Sequence, residues 1–572
     1  MRFARDKFWI IVLGLSATLL FTAVGFRLYD IQIRKNVVTK DPTKGMEYRE
    51  VLPARRGGIY GRGGKSHPLA MSVPLWKVFV DPQMIEEGRH GDVMREICKY
   101  GVFDETRVFE AVMAEKGRYH PIGETIDRVI VDDFATNSVL RRCVGREKIT
   151  RRNYPLGSQM SHVVGVVNSA GEALDGMEKV MDEYLTGTNG FIKGVASATR
   201  REIVAKREEY QPPVDGCDVI LTLDQNIQYI VETALDEAMT NFNARAGWVI
   251  VQNPKTGEIL AMASRPNFDP RNYGASDSKA LWNRAIFTNY EPGSVMKALT
   301  FAAGLNEGLY TTNTLINCDP VLYAGRPLQD HVRGNITTTV AIQKSSNRAS
   351  SRVAMALGRE RMGNYLEKFG FGRKTGIQLL GEGTGIVDPP KRWGDLRLIR
   401  IGIGQGIAVT GLQLVSLYSA IANDGNMMRP YVVSKVVDPN GKIVLENTPV
   451  KVSAPITKKT AHDMAFMLGT VPETGGTGRR AKIPGYRVAG KTGTAQMALS
   501  SGRGYSATDY IGSFCGFFPA SDPQVTILVS LEAPRPNYHG GTVAAPVFSK
   551  IGAAIVSYLE IPPDEPNSLP RY

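Results

Sequence analysis

Cysteine is scarce in this chain. Its five residues in 572, Cys98, Cys143, Cys217, Cys318 and Cys515, are odd in number and far apart. That spacing makes neither a zinc ligand set nor a disulfide framework, so they are expected to be mostly buried small apolar side chains, with room for one disulfide. The seven histidines are scattered, form no ligand cluster, and give no reason to expect a metal. No dense Lys/Arg block with interleaved aromatics occurs, which argues against nucleic acid. The net charge of +13 then reads as a solvated basic surface, one that suits an anionic membrane or wall polymer. Internal repeats and low-complexity segments are also lacking. There is no glycine loop of the phosphate-cradling kind, and no cofactor is expected.

What is present begins at the N-terminus. MRFARDK is followed by FWIIVLGLSATLLFTAVGF, Phe8 to Phe26, without a charged residue. Roughly 20 apolar residues at ~1.5 Å each span a ~30 Å hydrocarbon layer. A cleaved signal peptide has an apolar core of only about 7–15 residues, and this run continues into RLYDIQIRK with no small-residue cleavage site. It reads as an uncleaved single-pass anchor, residues 8–26. Arg2, Arg5 and Lys7 place residues 1–7 in the cytoplasm and everything after Phe26 outside.

A boundary falls near YQPPVDG, Tyr210 to Gly216, where Pro-Pro and Asp-Gly punctuate the chain. Beyond it DVILTLD reads as a strand and QNIQYIVETALDEAMTNF as a helix. GWVIVQNPKTGEILAMAS reads as two strands joined by a turn. That turn holds the first of three Lys-Thr-Gly copies, at Lys255; the second, at Lys374, follows a helix-like run, MGNYLEKFG, in a Gly-rich connection. The third, in YRVAGKTGTAQM, is strand-like and is followed by two more strand-like runs, DYIGSFCGFF and QVTILVSLE. Lys491, Thr492, Gly493 and Thr494 are therefore expected along a sheet edge.

Ser-x-x-Lys also occurs twice. Ser276 to Lys279 lies in a polar, turn-rich stretch, whereas YEPGSVMKALTFAAGL, with Ser294 and Lys297, opens a helix that is apolar nearly all round and hence buried. Residues i and i+3 of a helix lie about 5–6 Å apart between Cβ atoms, which puts Lys297 beside the Ser294 hydroxyl. A serine at such a place is more often only a cap. Ser345-Ser346-Asn347, between ITTTVAIQK and RASSRVAMALG, is uninformative alone. The order Ser-x-x-Lys, Ser-x-Asn, Lys-Thr-Gly, at spacings of about 50 and about 140 residues, is what singles out Ser294, Lys297, Ser345, Asn347 and Lys491.

At these residues the sequence resembles the penicillin-binding transpeptidases, serine acyltransferases of the class B kind. RRGGIYGRGGKSHPLAMS, RRNYPLGSQMSHVVGVVN and GMEKVMDEYLTG resemble blocks of the class B pedestal. GIGQGIAVTGLQLVSLYSAIANDG, SFCGFFPASDP and GGTVAAPVF resemble stretches of the catalytic domain. The likeness runs from the anchor to about Leu559. It implies an α+β fold: an anchor helix, an elongated non-catalytic pedestal (dimerisation) domain over 27–215, a transpeptidase domain over 216–559 with a five-stranded antiparallel sheet flanked by helices, and a tail over 560–572. VFVDPQMI and GGTVAAPVFSKIGAAI look most like the division-specific, septal branch; the elongation-specific branch is the near alternative. Three departures stand out: Gly61 where the family usually has an acid, Asn253 where the hairpin turn usually begins with Asp, and Gly411 where a proline usually follows the threonine. Thr410-x-x-Gln413 still forms a capping box.

The resemblance implies acyl transfer from stem peptides ending in D-Ala-D-Ala, and covalent capture of β-lactams. Ser294 is the expected nucleophile and needs a neighbouring base. Lys297 serves if its pKa falls from about 10.4 toward ~7–8, through burial and the positive charge of Lys491. Ser345 is expected to relay a proton to the leaving amine and Asn347 to orient the substrate amide. Lys491, Thr492, Gly493 and Thr494 would hold the terminal carboxylate. The backbone N–H groups of Ser294 and Thr494 would form the oxyanion hole. His331 and His539 are expected to be structural or at the rim. A polytopic glycan polymerase and septal membrane proteins are the implied partners. A serine β-lactamase and a D,D-carboxypeptidase share the three motifs, although neither needs the pedestal. A non-catalytic division scaffold would not need the intact motifs.

Overall fold

The structure is a computed structural model that describes residues 2–34, 47–196, 202–320, 322–323, 326–499 and 504–566. Two compact units are distinguished, Met1–Ala54 with Thr188–Asp215, and Arg55–Gly187 with Gly216–Tyr572.

In the first unit a helix runs over Arg2–Tyr29, and its side chains Leu13, Leu19 and Phe21 are exposed. Ser16, Thr18 and Thr22 donate their hydroxyls to carbonyls one turn back, at Val12, Gly14 and Thr18. Their polar atoms are thus satisfied within the helix, as an apolar surrounding demands. The unit also holds an antiparallel sheet in the order Glu47–Leu52, Gly190–Ala196, Glu202–Gln211.

The second unit contains a seven-stranded sheet in the order Ile443–Glu446, Val433–Val437, Asp218–Leu221, Ile59–Tyr60, Pro68–Val80, His120–Thr125, with Val144–Asn153 also paired to Pro68–Val80. Backbone pairing therefore runs continuously from the pedestal strands into Asp218–Leu221 and Val433–Val437. The three pedestal blocks of the sequence meet at one buried carboxylate. Glu178 accepts from Arg56 at 2.7 Å and from Arg152 at 2.6 Å. A buried carboxylate is tolerable only when paired in this way. Gly61 is buried, and a Cβ there would come within 3.2 Å of the Leu223 carbonyl oxygen. The neighbouring cations find their acids elsewhere, Arg62 at Glu258 (3.1 Å) and Lys65 at Asp218 (3.0 Å).

The catalytic part is built from helix α1 (Gln225–Asn241) and hairpin β1 (Ala246–Gln252) and β2 (Ile259–Arg265). Helices α2 (Lys297–Asn306), α3 (Asn347–Lys368) and α4 (Gly411–Ala422) follow. Strands β3 (Ala489–Ala498), β4 (Tyr505–Phe518) and β5 (Val525–Glu532) and helix α5 (Ala545–Tyr558) complete it. The five strands pair antiparallel in the order β2-β1-β5-β4-β3, so β3 is an edge. Alternation along β1 divides the core: Val249 and Val251 pack with Ile227, Val231 and Phe548 of α1 and α5, and Trp248 and Ile250 pack with Leu414, Leu417 and Tyr418 of α4. Both faces are covered, which is why β1 and β5 are buried at every position. The stretch Gly540–Tyr558 is long and apolar enough to cross a membrane, but Phe548, Ile551 and Ile555 are buried in this core.

The departures have local accounts. Asn253 accepts from the backbone N–H of Lys255 at 2.9 Å, so an amide oxygen does what an aspartate would do in the turn. Lys255 pairs with Asp522 at 2.6 Å on the exposed surface. Thr410 and Gln413 complete the capping box, and a Cβ at Gly411 would lie 2.9 Å from the Ala285 carbonyl oxygen and 3.0 Å from Trp248 Nε1. All five cysteines are free thiols, so the allowance for one disulfide is corrected: Cys143, Cys318 and Cys515 are buried singly.

Candidate active site

Ser294 sits on a tight turn, Gly293–Met296, that flows directly into α2. Gly293 has φ +57°, a left-handed conformation costly for other residues, and a Cβ there would lie 2.8 Å from the Thr494 carbonyl oxygen. From the other side, a Cβ at Gly493 would lie 2.5 Å from Val295 Cγ2. Glycine at both positions lets the nucleophile turn and the edge strand β3 touch backbone to backbone. Tyr418 of α4 donates to the Val295 carbonyl at 2.8 Å and fixes the turn from below.

Lys297 has no exposed surface. Its Nζ contacts Ser345 O at 2.6 Å, Ser345 Oγ at 3.2 Å and Asn347 Oδ1 at 2.7 Å. The lysine thus turns toward the Ser345–Asn347 loop; no hydrogen bond to Ser294 Oγ is formed among the described residues. Burial pushes Lys297 down to about 7, and the carboxylate of Asp330 works against that shift. Burial lowers Lys491 well below its ordinary value, and the nearby Lys297 lowers it further. The expected repulsion between Lys297 and Lys491 is thus present, and it shows on Lys491. Its Nζ donates to Thr492 O at 3.1 Å and to Thr492 Oγ1 at 3.4 Å. A substrate carboxylate placed there would draw a proton back onto it.

Ser345 has φ +58°, an unfavourable region for a non-glycine residue that costs about 1–3 kcal/mol and needs support. The support is Asp330, which sequence reasoning missed. Asp330 Oδ2 accepts from Ser346 Oγ at 2.6 Å and from the Arg348 backbone N–H at 2.8 Å. Ser346 in turn caps α3. The Asn347 side-chain amide donates to the Gln329 carbonyl at 3.0 Å, so with Lys297 on its oxygen both ends are engaged. Thr477, also missed, shares a 2.8 Å hydrogen bond with Thr492 through their hydroxyls. Thr494 Oγ1 accepts from the Gly540 N–H at 3.2 Å. No spacing rule marks Asp330 or Thr477; each reaches the site from a loop that the fold folds back.

A cavity of about 550 Å³ collects Ser294, Ser345, Asn347, Thr492 and Thr494. Lys297 and Lys491 lie buried beneath it. His331 and His539 line its rim. The decoys stay away: Lys279 and Lys374 are exposed on the surface, and Ser276 lies in the turn before a short helical segment, Ser278–Leu281.

Residues 247–553 match the penicillin binding protein transpeptidase domain, and residues 51–221 match the penicillin-binding protein dimerisation domain. The chain belongs to the class B penicillin-binding proteins. It is therefore an enzyme, a serine-type D,D-transpeptidase of peptidoglycan. It is 34% identical over 511 residues to stage V sporulation protein D of Bacillus subtilis, covering 87% of this chain and 77% of that protein. It is 29% identical over 524 residues to the peptidoglycan D,D-transpeptidase FtsI of Escherichia coli, covering 89% and 84%. Among solved structures, penicillin binding protein 3 of Mycobacterium tuberculosis complexed with aztreonam superposes with a TM-score of 0.70 at 29% identity, covering 91% of this chain and 100% of that one. With this family comes binding of stem peptides and β-lactams, and the N-terminal apolar helix is the membrane anchor.

Proposed function

We propose that the chain is a septal transpeptidase that crosslinks stem peptides during cell division, with Ser294 as its acyl-carrying residue. The observation that carries the chemistry is the convergence of Ser294, Ser345, Asn347, Thr492 and Thr494 on one cavity above a buried lysine held near 7. A lysine neutral at the working pH can take the Ser294 proton. Ser294 Oγ then attacks the carbonyl between the two terminal D-alanines. The Ser294 and Thr494 backbone N–H groups receive the oxyanion, where one donor is typically worth ~2.7–4 kcal/mol. The C–N bond breaks, and the proton passes from Lys297 through Ser345 to the leaving D-alanine. Lys491, Thr492, Gly493 and Thr494 hold the terminal carboxylate, and Asn347 orients the amide. In the second half an acceptor amine attacks the ester, its proton returns to Ser294 Oγ, and a new amide closes the crosslink.

The septal role is supported by likeness to the peptidoglycan D,D-transpeptidase FtsI of two organisms. Residues 1–7 are cytoplasmic, 8–26 form a single span, and 27–215 and 216–559 form pedestal and catalytic domains outside the membrane. A polytopic glycan polymerase and small septal membrane proteins are the partners at the anchor and pedestal. Ser294→Ala should abolish covalent penicillin labelling of the full-length protein, whereas Ser276→Ala should leave it intact. Labelling that survives in Ser294→Ala would rule the assignment out.

A further inference from the structure

The walls of the active-site cavity carry charge of one sign. Lys344, Arg479 and Arg480 line it, His331 and His539 stand on its rim, and neither aspartate nor glutamate is among its lining residues. Of the acids that flank its lining segments along the chain, Asp330 is held by Ser346 Oγ and the Arg348 N–H at 2.6 and 2.8 Å, and Glu473 is taken by Lys482 at 2.6 Å. Among the described residues Lys344, Arg479 and Arg480 make no ion pair, and they are exposed. Three cations that line one cavity and have no ion pair of their own attract an anion to it.

Their mounts are tied into the fold. Arg479 and Arg480 sit on the short helical turn Arg479–Ala481, whose Ala481 is fully buried. Lys344 ends the helix Thr338–Gln343 immediately before Ser345. The two mounts are bonded to each other: Gln343 Nε2 donates to the Thr470 carbonyl at 3.2 Å, and the Thr477 N–H donates to the Gln343 carbonyl at 3.3 Å. Thr477 is itself tied to Thr492 of β3. The three cations are thus held in register with the reacting centre.

Their side of the cleft is also informative. Thr492 and Ser345 face this cavity, so it is the compartment in which the leaving D-alanine departs. By microscopic reversibility the acceptor amine attacks from the place the leaving amine vacated, and the acceptor stem must lie over the same walls. Resting on the transpeptidase reading above, we infer that Arg479, Arg480 and Lys344 receive the acceptor stem. They bind an anionic group of it distinct from the carboxylate held at Lys491, Thr492 and Thr494. The acceptor class is therefore an amine whose own residue or neighbour carries a second carboxylate. The same field favours the neutral form of the attacking amine, which is the form that can react.

The test uses the full-length protein in detergent, a thioester donor, and D-glutamate against D-glutamine as acceptor. These two differ only in a second carboxylate. Wild type should favour D-glutamate at least about threefold in kcat/KM, the scale expected of exposed ion pairs. The preference should shrink when salt rises from about 0.05 to about 0.5 M. It should fall to near one in the Arg479→Gln/Arg480→Gln protein and be reduced in Lys344→Gln. Equal use of the two acceptors by wild type, or a preference that survives in both variants, overturns the inference. Penicillin labelling of the same preparations separates the two layers of argument. Labelled protein without the preference sinks only the acceptor surface, whereas wild type without any adduct on Ser294 sinks the catalytic reading and this inference with it.

Discussion

Lys297 and Asp330 show how the site sets its own working pH. Lys297 is stripped of water and left with three oxygen partners, so its charged form loses more than its neutral form. Asp330 is close enough to offset part of that loss. A general base works in its deprotonated form, so the second-order rate of penicillin acylation should rise with pH through about 7 and then level off. Asp330→Asn removes the opposing charge, so Lys297 should titrate lower and the rising limb should shift to lower pH. The plateau should drop at the same time, because Ser346 and the Arg348 N–H lose part of their anchor. A stopped-flow pH profile of both proteins checks this, and a limb that stays in place or moves upward contradicts it.

At the scale of elements, the site is a contact between a helix start and a sheet edge. Its tolerance is set by the close approach at Gly493, where a Cβ would fall 2.5 Å from Val295 Cγ2 and 3.1 Å from the Pro292 carbonyl oxygen. Gly493→Ala should push β3 away from the nucleophile turn and slow acylation by about 10²-fold, the scale of a ~1 Å misplacement. Thermal unfolding should move far less. Near-normal acylation in this variant would mean that the backbone approach is not what orients the oxyanion donors. The same elements explain what could be read in advance. Alternating and helical patterns made β1, β2, β3 and α1 legible, and the order of three short motifs selected Ser294, Lys297, Ser345, Asn347 and Lys491 over their decoys. Asp330 and Thr477 were not legible, because each acts through a tertiary contact with a motif residue that no local pattern encodes. The opposing effect of Asp330 on Lys297 was not legible either, since it depends on that same tertiary placement.

At the scale of the whole molecule, the proposed topology puts the short basic segment before the apolar helix in the cytoplasm and the catalytic residues outside. A fluorescent protein that matures only in the cytoplasm, fused before Met1, should therefore glow, and it should do so at the division plane. A dark fusion would contradict the orientation, and an even signal along the side wall would contradict the septal role. The central claim is narrower: Ser294 carries the acyl group, and the enzyme passes it to an amine without quickly giving it to water. Mass spectrometry of the full-length protein after incubation with a penicillin, with the adduct mapped and its decay timed, addresses it most directly. The account predicts one adduct, on Ser294, that persists for hours. An adduct on another residue, an adduct hydrolysed within seconds, or none at all on folded protein would contradict it.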